Sequence, residues 1–152
     1  MRITNFADIQ DEFIQRVHAD VYCAMVTVNR DNRPRSRIIH PIWEGQVGWV
    51  TSNPNSHKSK HLADNPYVSL IYMKNPFQPV YVDCRTEWAT DTTEEERIWH
   101  LFLDTPAPVG YDLALFFGSK ESENYGALKL IPWRIELFEL SVEGSKSIVW
   151  RE

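Results

Sequence analysis

The segment RPRSRIIHPIWEGQVGWVTSNPNSHK, residues 33–58, decides how the rest of the chain is interpreted. Because side chains alternate along a strand, Arg35 and Arg37 point to the same face and their guanidinium groups converge. The turn at Gly45 is followed by QVGWVTS, residues 46–52, which is typical of a returning strand. The segment therefore predicts an antiparallel hairpin with a basic face.

The hairpin leads into a predicted helix start that favours an anion. Ser56 stands at the N-cap position ahead of HKSKHLAD, residues 57–64. Lys58 lies in the first turn, where a positive charge opposes the helix dipole unless an anion is bound nearby. Together with Arg37, it predicts a phosphate site. The alternative is a solvated edge strand whose charges discourage unwanted pairing, formed by Arg30, Arg33, Arg35 and Arg37.

The remaining segments predict a mostly-β (α+β) domain. An opening helix has Asn5 as its cap, ends near His18 or Asp20, and forms its apolar face from Phe6, Ile9, Phe13 and Val17. Strand patterns occur at residues 21–28, 67–73, 80–90, 127–130, 133–140 and 147–150, with Pro132 expected to interrupt the sheet. A helix at residues 92–104 carries Thr92 and Glu95 as a capping box. Antiparallel strands without βαβ alternation predict a β-barrel of about six to eight strands with a few flanking helices.

Length and charge limit the possible functions. A chain of 152 residues is about one domain, so residues 1–152 are predicted to fold together. The net charge of −5 would repel nucleic acid, and a basic segment this local suits a small anionic ligand.

No apolar run could span a bilayer and the polar N-terminus is unlike a signal peptide, so we expect a cytoplasmic protein without membrane or nucleic-acid partners. Cys23 and Cys84 are expected to be buried free thiols.

The order of these segments resembles the pyridoxamine 5'-phosphate oxidase-like, FMN-binding split barrels. The likeness runs from about Val21 to Phe138 and rests on RIIHPIW, WVTS, SHK and LADNPYVSLIYM occurring in this order. Any one of these motifs would be weak, whereas their joint spacing is specific. The resemblance implies a split barrel that binds FMN between the two subunits of a homodimer.

The resemblance also implies which residues bind the cofactor. The phosphate ligands would be Arg37 and Lys58. The backbone beside the flavin ring would come from Ile38, Ile39 and His40. Further polar side chains would come from Thr51, Ser56 and His57.

The chain departs from the oxidases where they hold the phosphate of their own substrate. Ile42 takes the position of a lysine at the end of the arginine strand, and LFLDTPAPVG at residues 101–110 lacks their polar group. At the C-terminus, GSKSIVWRE at residues 144–152 replaces an Arg-Leu-His-Asp-Arg motif. The resemblance therefore implies an FMN-dependent oxidoreductase acting on another small molecule, with a nicotinamide cofactor as one candidate electron donor.

Several alternatives stay open at this point. The pocket could hold a deazaflavin or haem, or the protein could be a non-catalytic flavin sensor. A nucleic-acid-binding barrel that uses residues 30–37 would require strongly salt-dependent binding. His57 and His61 have the helical spacing of a metal pair, but Lys58 and Lys60 lie between them, and no metal site is expected. No catalytic side chain is named, because a flavin itself accepts hydride.

Overall fold

Alternating apolar side chains build the sheet, and the computed structural model describes residues 1–152. In the strand Cys23–Val28, for example, the first, third and fifth residues are buried and their neighbours are partly exposed. The strands are β1 (Arg2–Ile3), β2 (Cys23–Val28), β3 (Pro34–Ile39), β4 (Ile42–Glu44), β5 (Val47–Ser52), β6 (Tyr67–Tyr72), β7 (Val80–Trp88), β8 (Gly126–Ser141) and β9 (Gly144–Arg151). The helices are a 3-10 helix (Phe6–Asp8), α1 (Gln10–Asp20), α2 (His57–Asp64), α3 (Thr92–Asp104) and α4 (Ala114–Phe117).

Strand β8 joins the β4–β5 hairpin to the rest of the sheet, because two strands, β5 and β9, pair with different stretches of the same edge of β8. On one side, β7 pairs along Leu128–Leu137. On the other side, β5 pairs with Gly126–Leu130 and β9 pairs with Arg134–Ser141. The resulting order is β1-β9-β8-β7-β6-β2-β3, with the β4–β5 hairpin attached through β5. All pairings are antiparallel except that of β1 with β9.

The prediction that Pro132 interrupts the sheet is wrong. Pro132 lies inside β8 at a β-bulge, where the register with β7 shifts between Asp83 and Cys84 and Trp133 has no partner. A proline has no N–H to donate, and a bulge is a position in a sheet that accommodates one. The predicted strands at 127–130 and 133–140 are therefore one continuous strand.

The mostly-β class with a few flanking helices is confirmed. The sheet has nine strands rather than six to eight. One reason is that Pro41 separates β3 from β4 within the stretch expected to be a single strand. The other is the two-residue strand β1, which no sequence pattern indicated.

The helices begin and end close to the predicted residues. Asn5 caps the 3-10 helix, and α1 ends at Asp20 as predicted. The expected capping box at Thr92 is wrong, because the Asp91 carboxylate accepts the Thr93 N–H at 2.8 Å and caps α3 one residue earlier.

Two apolar clusters form the core. The larger cluster of 21 buried residues lies between the sheet and α1, and the smaller cluster of 8 packs around α3. Cys23 and Cys84 are buried free thiols, as predicted. None of the helices has the length and apolar character that crossing a membrane requires.

Candidate functional site

A cleft of about 570 Å³ opens between β3, β5, α2 and the segment that follows α3. Its lining residues are Tyr22, Ile38, Ile39, His40, Val50, Thr51, Lys58, Ala107, Pro108, Gly110, Tyr111, Leu115 and Phe116. Five residues predicted from the sequence are among them, namely Ile38, Ile39, His40, Thr51 and Lys58. The structure therefore brings these five together in one cleft, whereas Arg37 and Ser56 are not among the residues that line it.

Lys58 lines the cleft, and Arg37, which does not, lies close enough for the two positive charges to repel each other. Burial, and secondly the positive charge of Arg37, lowers the pKa of Lys58 to about 8. Burial also lowers the pKa of Arg37, with a smaller contribution from Arg35. Neither Arg37 nor Lys58 has a carboxylate within 4.0 Å. Neighbouring half-buried cations without a counter-charge are unfavourable, so this position has the charge that a bound anion would neutralise.

Ser56 caps α2, as the sequence predicts. Its hydroxyl oxygen accepts the Ser59 N–H at 3.3 Å, and the Ser59 hydroxyl in turn donates to the Asn53 carbonyl at 2.9 Å. These bonds fix the turn that enters the helix. The first turn contains Lys58 and no acidic residue, so the helix dipole and the ammonium group both favour an anion there.

His57 lies outside the cleft, although Lys58 follows it directly. It lines a separate polar pocket of about 470 Å³ together with Asn29, Arg30, Asp31, Lys60, His61, Ala63 and Asp64. In this pocket the Arg30 Nε donates to the Asp64 carboxylate at 2.8 Å. No three His, Cys, Asp or Glu side chains lie close enough together to hold a metal ion. The structure thus places His57 with His61 and apart from the five predicted residues that line the cleft.

A buried hydroxyl that the sequence interpretation missed lies behind Arg37. Thr27 on β2 is fully buried, and its Oγ1 accepts a hydrogen bond from Arg37 Nη1 at 2.9 Å. The same Oγ1 lies 3.1 Å from Nδ1 of His61 on α2. The three side chains connect β3, β2 and α2, and no spacing in the sequence signals this contact.

His40 lies between two tyrosines on the wall of the cleft. The centroid of its ring is 4.9 Å from that of Tyr22 and 4.5 Å from that of Tyr111. The Nε2 atom bonds the Val109 carbonyl at 2.7 Å, and because a carbonyl only accepts, this nitrogen carries the hydrogen. Burial lowers the pKa of His40 by more than its backbone hydrogen bonds raise it, which favours the neutral imidazole. The wall is therefore aromatic and uncharged.

Tyr111 completes this wall through a long-range contact. Its hydroxyl lies 3.1 Å from that of Thr51, 60 residues away in the sequence. At Gly110, a Cβ would lie 2.0 Å from the Thr105 carbonyl oxygen, so only glycine fits this turn. In the sequence, residues 101–110 were distinguished only by lacking the polar group of the oxidases. Nothing in their composition links them to Thr51.

Ile42, which stands where the oxidases have a lysine, is a core residue here. Its side chain is 2% exposed and packs in the smaller apolar cluster with Trp49 and Ile98. No cation can therefore be supplied from this position. Lys58 is the only charged side chain among the residues that line the cleft.

A family profile matches most of the chain. The profile described as pyridoxamine 5'-phosphate oxidase matches residues 9–136, which include every predicted site residue. No curated protein matches the chain.

Solved structures share the fold at low sequence identity. PhzG from Burkholderia lata 383, in complex with tetrahydrophenazine-1-carboxylic acid, has a TM-score of 0.76 and 12% identity over 99% of this chain and 88% of its own. A Clostridium acetobutylicum protein related to general stress protein 26 of B. subtilis, of the pyridoxinephosphate oxidase family, has a TM-score of 0.74 and 14% identity over 95% and 94%. A pyridoxamine 5'-phosphate oxidase-related, FMN-binding protein from Nostoc punctiforme PCC 73102 has a TM-score of 0.69 and 14% identity over 97% and 91%. These likenesses confirm the split-barrel fold.

Replacing Lys58 with Met should raise the free energy of unfolding of the ligand-free protein at pH 7 by on the order of 2 kcal/mol. The folded chain holds Lys58 with a pKa of about 8, below its ordinary 10.5, so folding disfavours the charged form. Between these two pH values the unfolded chain retains a proton that the folded chain has lost. The free energy of unfolding of the wild type therefore rises with pH in this range, while that of the variant does not gain this contribution. The difference in stability between the two proteins shrinks accordingly.

Chemical denaturation at several pH values, in buffers free of phosphate and sulfate, measures this difference. Lys60 is exposed on the same helix and serves as the control, because Lys60→Met should give no such gain. A Lys58→Met protein that is less stable than the wild type at pH 7 would contradict the interpretation of Lys58 as an uncompensated charge.

Proposed function

The chain belongs to the pyridoxamine 5'-phosphate oxidase family, and we propose that it is a flavoprotein that binds FMN in the cleft beside Arg37 and Lys58. The observation that carries this proposal is the pair of half-buried cations without a carboxylate partner. A phosphate monoester supplies the missing negative charge and accepts charge-assisted hydrogen bonds from both side chains.

The remainder of the cleft suits a flavin ring. Its lining is mainly apolar and aromatic, with few polar groups, which is typical of sites for planar cofactors. Ile38 and Ile39 offer backbone groups along β3, and Thr51 offers a hydroxyl. We assign the phosphate to Arg37 and Lys58, with the helix start at Ser56 beside it.

The proposed activity is that of an oxidoreductase. Bound FMN would supply hydride acceptance and donation, while the chain binds the ring, orients it and keeps water from one face. The buried Ile42 supports a substrate other than pyridoxamine 5'-phosphate, because a second phosphate would find no cation there. We place the protein in the cytoplasm, where thiols such as those of Cys23 and Cys84 stay reduced.

A homodimer would cover the exposed side of the cleft. Four large side chains of the lining are mostly exposed: Leu115 (80%), Phe116 (71%), Ile38 (69%) and Tyr22 (60%). Contiguous apolar surface of this kind marks an interaction site. A second copy of the chain would bury it and enclose a cofactor that a single chain leaves open on one side.

FMN should bind far more tightly than riboflavin, which has the same ring without the phosphate. A charged hydrogen bond contributes about 1.5–3 kcal/mol, and a loss of about 2 kcal/mol lowers affinity about 30-fold. Arg37→Ala and Lys58→Ala should each weaken FMN by about that factor and leave riboflavin nearly unchanged. Quenching of flavin fluorescence measures both affinities.

Arg30→Ala is the matched control for these variants. Arg30 also carries a guanidinium group close in sequence, but it is exposed and paired with Asp64 at 2.8 Å. Its removal should change FMN affinity little. Equal binding of FMN and riboflavin by the wild type would restore the interpretation of the basic residues as a solvated edge.

The FMN-loaded protein should lose its visible flavin absorbance when NADH or NADPH is added without oxygen. This loss reports reduction of the flavin and requires that the donor reach the ring. Protein that binds FMN tightly and is reduced by neither donor would support the non-catalytic sensor instead. The absorbance of the protein as isolated also distinguishes FMN from a deazaflavin or haem.

The Leu115→Glu variant should be monomeric and should bind FMN more weakly than the wild type. The new carboxylate would be buried without a partner at the proposed interface, which is costly. Val142→Glu is the control, because Val142 is fully exposed in the turn between β8 and β9, away from the cleft. Light scattering at micromolar concentrations should show dimers for the wild type and the control. A wild type that is monomeric yet binds FMN tightly would contradict the shared site.

A further inference from the structure

The Arg37 side chain needs a restraint in order to hold a phosphate. It is long and flexible, and it loses rotamer entropy whenever it is fixed. Its positive charge also lies close enough to Lys58 to lower the pKa of that group, so the two cations repel each other. An attachment made before the ligand arrives would remove this entropy cost from binding.

Thr27 provides this attachment. It faces Arg35 in the β2–β3 register, which places it diagonally across from Arg37, within reach of a long side chain. The bond from Arg37 Nη1 to Thr27 Oγ1 measures 2.9 Å and is the only hydrogen bond that Arg37 makes through its side chain. Thr27 itself is fully buried, so its hydroxyl has few directions available.

His61 fixes the direction of that hydroxyl. A guanidinium group only donates, so Thr27 Oγ1 must accept from Arg37. The hydrogen of Thr27 is then free to be donated to His61 Nδ1, 3.1 Å away, provided that the imidazole carries its own hydrogen on Nε2. His61 belongs to α2, the helix whose first turn holds Lys58. The contact between Thr27 and His61 therefore links Arg37 to α2, the helix that also carries Lys58.

We propose that Thr27 and His61 are positioning residues that hold the Arg37 guanidinium at the phosphate site. This proposal rests on the assignment of FMN phosphate to Arg37 and Lys58. Neither residue touches the cofactor, and both act by preorganising Arg37 before the phosphate arrives. Thr27 and His61 should therefore affect the binding of the phosphate group and leave the binding of the flavin ring unchanged, because the ring is bound elsewhere in the cleft.

The test compares FMN with riboflavin for Thr27→Val, which removes the hydroxyl and preserves the shape of the side chain. We expect FMN affinity to fall about fivefold, as befits one hydrogen bond, while riboflavin affinity stays unchanged. Thr27→Ser restores the hydroxyl and should bind FMN like the wild type. A purely structural defect would lower both affinities together.

Thr86→Val is the matched control. Thr86 is also a buried strand threonine, and its hydroxyl donates to the Pro66 carbonyl at 2.9 Å, with no contact to Arg37. Its loss should leave the ratio of FMN to riboflavin affinity at the wild-type value. The comparison distinguishes the general effect of losing a buried hydrogen bond from the specific effect of losing the bond between Thr27 and Arg37.

His61→Leu provides a second route should Thr27→Val fail to fold, because His61 is only half-buried. It removes the acceptor of the Thr27 hydroxyl and should lower FMN affinity about threefold, again without an effect on riboflavin. If a folded Thr27→Val or His61→Leu protein keeps the wild-type ratio, the positioning role is wrong and the FMN assignment stands. If the wild type itself does not prefer FMN, the phosphate assignment fails and the positioning role fails with it.

Discussion

The shared edge of β8 is the constraint on which the rest of the structure depends. Because β7 occupies one edge along most of the strand, β5 and β9 must divide the other edge between them. This arrangement turns β5 back beside the start of β8 and brings its end, at Thr51, next to the entry into α2. The close approach requires Gly126, where a Cβ would lie 2.6 Å from the ring of Pro54. The cleft is a consequence of this closure.

The fold also explains why Arg37 and Lys58 lie near each other. Arg37 is fixed by strand alternation in β3, and Lys58 by the capped start of α2. Each position is set by backbone structure that forms for reasons unrelated to charge, namely sheet pairing and the Ser56 cap. The repulsion between the two groups is therefore imposed by the fold, and a binding site can retain such an arrangement because the ligand offsets it.

Local sequence patterns predicted much of the fold and of the candidate site, but they could not predict how separate segments contact each other. Alternation identified β3 and β5, and the N-cap identified α2, so the strand that carries Arg37 and the helix turn that carries Lys58 were predictable from neighbouring residues alone. The contact of Tyr111 with Thr51 was not, because it spans 60 residues, and the contact of Thr27 with Arg37 was not, because it depends on the register between β2 and β3. His57 is adjacent to Lys58 in the sequence yet lies in another pocket, because consecutive residues of a helix point in different directions.

The repulsion between Arg37 and Lys58 bears on how stable the protein would be in a cell before a ligand binds. An anion that binds only the folded chain adds stability that grows with the logarithm of its concentration. If the proposed flavin is such an anion, newly made chains without it would unfold more often than loaded chains, and unfolded chains are the ones that proteases remove. The abundance of the protein would then follow the supply of that ligand without any dedicated regulator, through electrostatic repulsion between two side chains.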